Sequence, residues 1–208
     1  MTSAARFLYL ARHAEASADE AGLSERGRRQ AVLLGERLRD VRFDAVHHGP
    51  LARAAGTAEL IRAQLVYAPA EFGAAACAGD YLPRIPARDE APPSVADRTL
   101  ERLASFPAEE RDPGPRLARE AVARFTGPAA GDRPRRELVV THNFTAAWLV
   151  RDAFAAPDWR WIGVNLANAA LTVVRYAPDR PADLLCFNDT GHLPADLRWT
   201  GLPAEPRI

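Results

Sequence analysis

Three places in the chain set cationic or imidazole side chains directly after a short apolar run. Arg12-His13 follows RFLYL at residues 6–10. Residues 47–53, which carry Arg53, close the run FDAVH at residues 43–47. His142-Asn143 follows ELVVT at residues 137–141. In open α/β sheets, ligands bind beyond the carboxyl ends of the strands, so these three ends are where chemistry is expected. Convergence of Arg12, His13, Arg53 and His142 would concentrate positive charge, and such a cluster repels itself unless an anion fills it. The number of negative charges required suggests a phosphoryl group, whose oxygens match the two-pronged donor fork of arginine.

The elements that must bring these residues together can be read from period and punctuation. Residues 6–10, 43–47, 137–141, 170–176 and 184–187 are short, apolar and rich in β-branched or aromatic residues, and are expected as strands. Ser24 is expected to cap a helix over 25–39, with Ala31, Leu34 and Leu38 on its apolar face. Pro50 is expected to open a second helix running to about residue 62. Further helices are expected at 95–106, 116–125 and 144–154. Residues 66–93 hold five prolines and little periodicity, so a long irregular lid or specificity segment is expected there. Strands alternating with helices imply one α/β domain over 1–208. Its central sheet would be mostly parallel, with helices on both faces in three layers.

Composition removes several classes of function. The 208 residues balance 27 basic against 27 acidic side chains, so no global field draws the chain to nucleic acid or to an anionic membrane. Every basic residue is arginine, which excludes Schiff-base chemistry and a Walker lysine. Cys77 and Cys186 stand far apart and form no CxxC, against a disulfide scaffold or a thiolate metal site. His47 and His48 are adjacent, so in a strand they face opposite ways and make a poor metal pair. No apolar stretch approaches the length of a membrane span, and a cytoplasmic protein is expected.

The same residues resemble the motifs of the histidine phosphatase superfamily, the phosphoglycerate mutase-like group. Leu10-Ala11-Arg12-His13-Ala14-Glu15 resembles its RHG(E) signature, with Ala14 in place of the glycine. Residues 23–31 resemble its LTxxGxxQA helix start. Pro50-Leu51-Ala52-Arg53-Ala54 with Thr57-Ala58 resembles SPLxRAxxTA, with Gly49 where serine is common. Val139-Val140-Thr141-His142 resembles the strand ending in the second histidine, and residues 188–193 a C-terminal segment of the group.

The resemblance implies that His13 attacks phosphorus to give a phosphohistidine. Arg12, Arg53 and His142 would hold the equatorial oxygens, with Asn143 beside them, and water would complete hydrolysis. Neither a metal nor another cofactor is implied, because arginine supplies the positive charge. The proton donor departs from the pattern. The usual glutamate position falls on Ala75, and the aspartate that other members carry after the second histidine is Asn143. Asp80 is the nearest substitute, with Glu15 and Asp89 as alternatives. A small phosphorylated metabolite is the expected substrate. A mutase returning the phosphoryl group to an acceptor and a degenerate phosphate-binding protein are the competing readings.

Overall fold

A computed structural model describes residues 2–202. Strand β1 (Ser3–Ala4) is a two-residue pairing with β5 (Ala129–Ala130). The main sheet contains β2 (Arg6–Arg12), β3 (Ala45–His48), β4 (Glu71–Ala74), β6 (Arg135–Thr141), β7 (Leu171–Tyr176) and β8 (Asp183–Asp189). They lie in the order β4-β3-β6-β2-β7-β8. The pairs β4/β3, β3/β6 and β6/β2 are parallel, whereas β7 runs antiparallel to both β2 and β8. The sheet is therefore mixed, with a single inverted strand near one edge.

Alternation along the strands divides the core. Val46, Leu138 and Val140 pack with Ala31, Leu34 and Leu38 of α1 (Glu25–Leu38) and with Ala54, Ala58 and Ile61 of α2 (Ala52–Arg62). Leu8, Leu10 and Val139 face the other way, onto Ala121 and Phe125 of α5 (Gly114–Phe125) and Leu149 of α6 (Asn143–Ala153). This period-two division is what a sheet covered on both faces requires. Between α1 and α2 on one side and α5 and α6 on the other, the sheet is buried throughout its centre.

Two further helices, α3 (Asp97–Ala104) and α4 (Ala108–Arg111), belong to the connection that precedes α5. Residues 66–93, expected to be irregular throughout, include edge strand β4 and a 3-10 turn at Ala76–Ala78. Residues 66–70 and 79–93 of the segment lack regular structure apart from bends and turns, as expected. β4 escapes its sequence signature because Glu71, Gly73 and Ala74 offer no β-branched side chain, and pairing with β3 supplies the order instead. The second helix starts at Ala52 rather than Pro50. Leu51 provides the first helical carbonyl, accepting from Ala54 and Ala55.

Candidate active site

The parallel register sets Arg12, at the end of β2, directly across from Thr141, at the end of β6. The next residues of the two strands, His13 and His142, then stand together, with ring centroids 4.9 Å apart. The backbone amide of His13 also donates to the Thr141 carbonyl at 2.8 Å, prolonging the ladder into the site. His142 is the residue immediately before α6, so the positive end of that helix points at the same place.

His13 is 7% exposed, and its Nδ1 lies 2.8 Å from the Ala14 carbonyl. A carbonyl can only accept, so Nδ1 carries the proton and Nε2 keeps its lone pair. Burial, reinforced by neighbouring His142, pulls the imidazole down to about 3, and it is neutral at physiological pH. Ala14 stands where the motif has glycine without taking a positive φ. Its amide donates to Thr57 Oγ1, and that hydroxyl donates to the Arg53 carbonyl. One threonine thus joins the His13 loop to the start of α2.

Arg12 donates through Nη1 to the carbonyls of Leu166 at 2.6 Å and Gly201 at 2.9 Å, while its Nε is buried without a partner. Burial lowers its pKa to about 10, assisted by the nearby Arg53 charge and opposed by Asp80, which still leaves a full cation at neutral pH. Arg53 donates to Asp80 Oδ2 at 2.8 Å and touches Glu20 at 3.3 Å. The same Asp80 oxygen lies 3.3 Å from His142 Nδ1. Burial pushes the Asp80 carboxyl upward, but His142 and Arg53 outweigh it and hold it at about 2. In the free protein Asp80 is therefore an ionised carboxylate that accepts from Arg53 and stands beside His142.

The loop carrying Asp80 is fastened from the β6–α6 junction. Thr141 Oγ1 donates to the Ala78 carbonyl and Thr145 Oγ1 to the Gly79 carbonyl, each at 2.7 Å. Gly49 is packed against this junction. A Cβ there would come within 2.6 Å of the Ala78 carbonyl oxygen and 2.9 Å of His142 Nε2, which accounts for glycine where serine is common.

Asn143 is turned to a neighbouring loop. Its Oδ1 accepts from the Leu166 amide at 2.8 Å and its Nδ2 donates to Asn165 at 3.3 Å. Glu15 is engaged at the cap of α1, accepting from Ser24 at 2.8 Å, and Asp89 sits exposed in a turn. Ala75, at the expected glutamate position, is buried. His47 and His48 face opposite sides of the sheet, against Phe125 and Phe72 respectively.

Several supporting groups were not singled out by sequence reasoning. Asn168 donates to the His13 carbonyl at 2.9 Å, and buried Gln30 joins the Glu15 amide to Thr200 and the Leu197 carbonyl. Gly201, at φ +77°, has no room for a side chain between Asn168 and Arg12. A glutamine on the buried face of α1 was the one legible signal among these.

The adjacent ends of parallel strands β2 and β6 thus bring Arg12, His13 and His142 to one place, with Asp80 bridging to Arg53. The family model of the histidine phosphatase superfamily, branch 1, matches residues 8–190, and the chain belongs to that superfamily and is a phosphatase. It is 27% identical over 216 residues to the serine/threonine-protein phosphatase Pgam5, mitochondrial, of Drosophila virilis, covering all of this chain and 71% of that protein. Its fold is similar to that of the α-ribazole phosphatase of Shigella flexneri (TM-score 0.58, 19% identity, 88% of this chain and 96% of that one). Phosphoglycerate mutase of Plasmodium falciparum is also similar (TM-score 0.58, 16% identity, 99% and 98%).

Proposed function

We propose that this protein is a metal-independent phosphomonoester hydrolase that acts through a phosphohistidine on a small phosphorylated metabolite. The observation carrying this reading is His13: buried, neutral, with Nδ1 committed to Ala14 and Nε2 left as a nucleophile beside His142. In the first step the Nε2 lone pair forms the N–P bond while the bond from phosphorus to the leaving oxygen breaks. Arg12, Arg53 and His142 hold the equatorial oxygens and stabilise the charge spread over them, as preformed donors do in phosphoryl transfer.

Asp80 supplies the proton in this reading. Its carboxylate is kept ionised by His142 and Arg53. An arriving phosphoryl group takes over both donors and sets its own negative charge beside the carboxylate. Both changes raise the proton affinity of Asp80. Asp80 takes up a proton from solvent as the substrate binds and gives it to the leaving oxygen as the P–O bond breaks. As an anion again, it takes one from the water that attacks phosphohistidine, and inorganic phosphate and free His13 result. Asn143 acts in this scheme by holding the 165–166 loop to which Arg12 is tied.

The test is phosphate release from p-nitrophenyl phosphate in the presence of EDTA, wild type against His13→Ala. Turnover that survives EDTA and falls more than about a thousandfold in the variant supports the reading. Full activity in His13→Ala, or activity abolished by EDTA, overturns it. Transfer from a bisphosphate donor to an acceptor, in place of phosphate release, would mark a mutase.

The similarity to proteins named as serine/threonine-protein phosphatases, which runs the length of this chain, favours a second reading with a phosphorylated protein as substrate. Comparing kcat/KM for phosphoserine peptides and for small phosphomonoesters separates the two. We also propose a cytoplasmic location. Cys77 and Cys186 are both free thiols, as suits a reducing compartment, and no described helix is long and apolar enough to cross a membrane. Fractionation of the source cells tests it.

A further inference from the structure

The leaving group must occupy space next to the phosphoryl site, and a cavity among the described residues borders that site through two residues. A hollow of about 240 Å³ is lined by Thr99, Arg102, Asn143, Phe144, Trp161 and Asn165, among others. Asn143 adjoins His142, and Asn165 adjoins Leu166, whose carbonyl holds Arg12. A larger apolar hollow at Val150, Phe154 and Phe187 is at the other end of α6, about 16 Å along the helix from His142 at 1.5 Å per residue. It is too remote to serve the same substrate.

The walls of the smaller cavity are preformed. Phe144 packs edge-on against Trp161 at 5.2 Å and against Phe106 at 5.8 Å. The Trp161 indole N–H is fixed by the Arg84 carbonyl at 3.0 Å. Rigid aromatic walls with a few convergent polar groups are what a small-molecule site requires. Ionic occupancy then distinguishes the arginines of this region. Arg84 is paired with Glu90 and Asp158, and Arg88 with Asp97. Arg102, exposed on the cavity-facing side of α3, has no carboxylate partner among the described residues. Thr99, one turn before Arg102, lies on that side too, and Leu103, the next residue, is buried against the same aromatic group.

We infer that this cavity is the leaving-group subsite, built for a single ring carrying a carboxylate, with the ring against the wall that Phe144 and Trp161 form together and the carboxylate on Arg102. The inference rests on the phosphohydrolase reading above and deepens it. The substrate class is then a phosphomonoester with a second, carboxylate charge at its far end. The two negative groups are taken by separate cations, Arg12 and Arg53 for one and Arg102 for the other.

The test compares kcat/KM for phenyl phosphate with that for 3- and 4-carboxyphenyl phosphate, in wild type, Arg102→Gln and Arg102→Glu. An exposed ion pair implies a preference of about fivefold for one carboxylated ester in wild type. That preference should fall to about one in Arg102→Gln and invert in Arg102→Glu. Equal rates for all three esters in wild type, or a preference that survives both substitutions, overturn the inference. Calorimetric binding of phenylphosphonate and of the carboxyphenylphosphonates to the same proteins separates the two readings. If no ester is hydrolysed, the phosphohydrolase reading falls. The subsite then stands only if a carboxylated phosphonate binds more tightly in a manner dependent on Arg102, and is overturned if it does not.

Discussion

The Asp80 carboxylate holds the Arg53 guanidinium at 2.8 Å with the same oxygen that faces His142. In the proposed mechanism this carboxylate stands where the phosphoryl group would bind, so substrate binding would exchange one anion for another. Such an exchange would remove the attraction that keeps Asp80 ionised and would couple arrival of the phosphoryl group to readiness of the acid.

Asp80→Asn tests this coupling. The amide cannot transfer the proton, so hydrolysis of alkyl phosphates, whose leaving oxygens need protonation, should fall by about a hundredfold. Nitrophenyl phosphate leaves without such help and should lose much less. Rates measured on both esters decide the matter, and equal losses would remove Asp80 from the proton-donating role.

Gly49 is the second position to alter. A methyl group there meets the Ala78 carbonyl and His142 Nε2 at once, and the imidazole is the more movable of the two. Gly49→Ala should lower kcat/KM on nitrophenyl phosphate by about ten- to a hundredfold, since small misplacements of positioned groups carry costs of that order. Circular dichroism should show the fold retained. Unchanged kinetics would mean that His142 tolerates displacement and is not a positioned ligand of the phosphoryl group.

Asn143 separates two roles by its variants. If it acts through Leu166 on Arg12, Asn143→Asp keeps the acceptor for the Leu166 amide and should bind substrate better than Asn143→Ala. A side chain touching the phosphoryl group directly would show the reverse order, because aspartate repels the anion. KM on nitrophenyl phosphate for the two variants reads the order. The alanine variant is expected to lose about fivefold, the worth of one hydrogen bond.

Acid stability follows from the buried imidazoles. Burial, with His142 next in size, lowers His13 to about 3, and burial together with Arg37 lowers His192 to about 4. Unfolded histidine takes up its proton near 6.5, so below that pH the unfolded chain binds protons that the folded one refuses. Stability should be full above pH 6.5 and fall steadily toward pH 4. Urea midpoints at pH 7 and pH 5 should show His13 contributing about 1 to 2 kcal/mol of that loss. His13→Gln should therefore narrow the difference between the two midpoints. An unchanged difference would place the His13 titration near its ordinary value.

The cluster of Arg12, His13, Arg53 and His142 was legible because each residue closes a strand or opens a helix whose apolar pattern is strong. Strands β2 and β6 declare themselves through runs such as RFLYL and ELVVT. Their parallel pairing then forces Arg12 and Thr141 into register. What stayed hidden is whatever depends on partners distant in sequence. Nothing local marks β4, whose order comes from β3. Nor does any local signal say that Asn168 will meet the His13 carbonyl, or that Thr141 and Thr145 will fasten the Asp80 loop. Asn143 reads as an anion contact from its place after His142, yet its amide is turned to residues 165–166 by a loop that single-sequence patterning does not resolve.

Arg12 receives one of its two fixed carbonyls from Gly201, 189 residues further along the chain. The seat of Arg12 is therefore assembled from three stretches that are remote from one another along the chain, with Leu166 supplying the other carbonyl. A local opening of the backbone around Gly201 would leave this guanidinium with half of its carbonyl anchors while the strand that carries it stays paired on both sides.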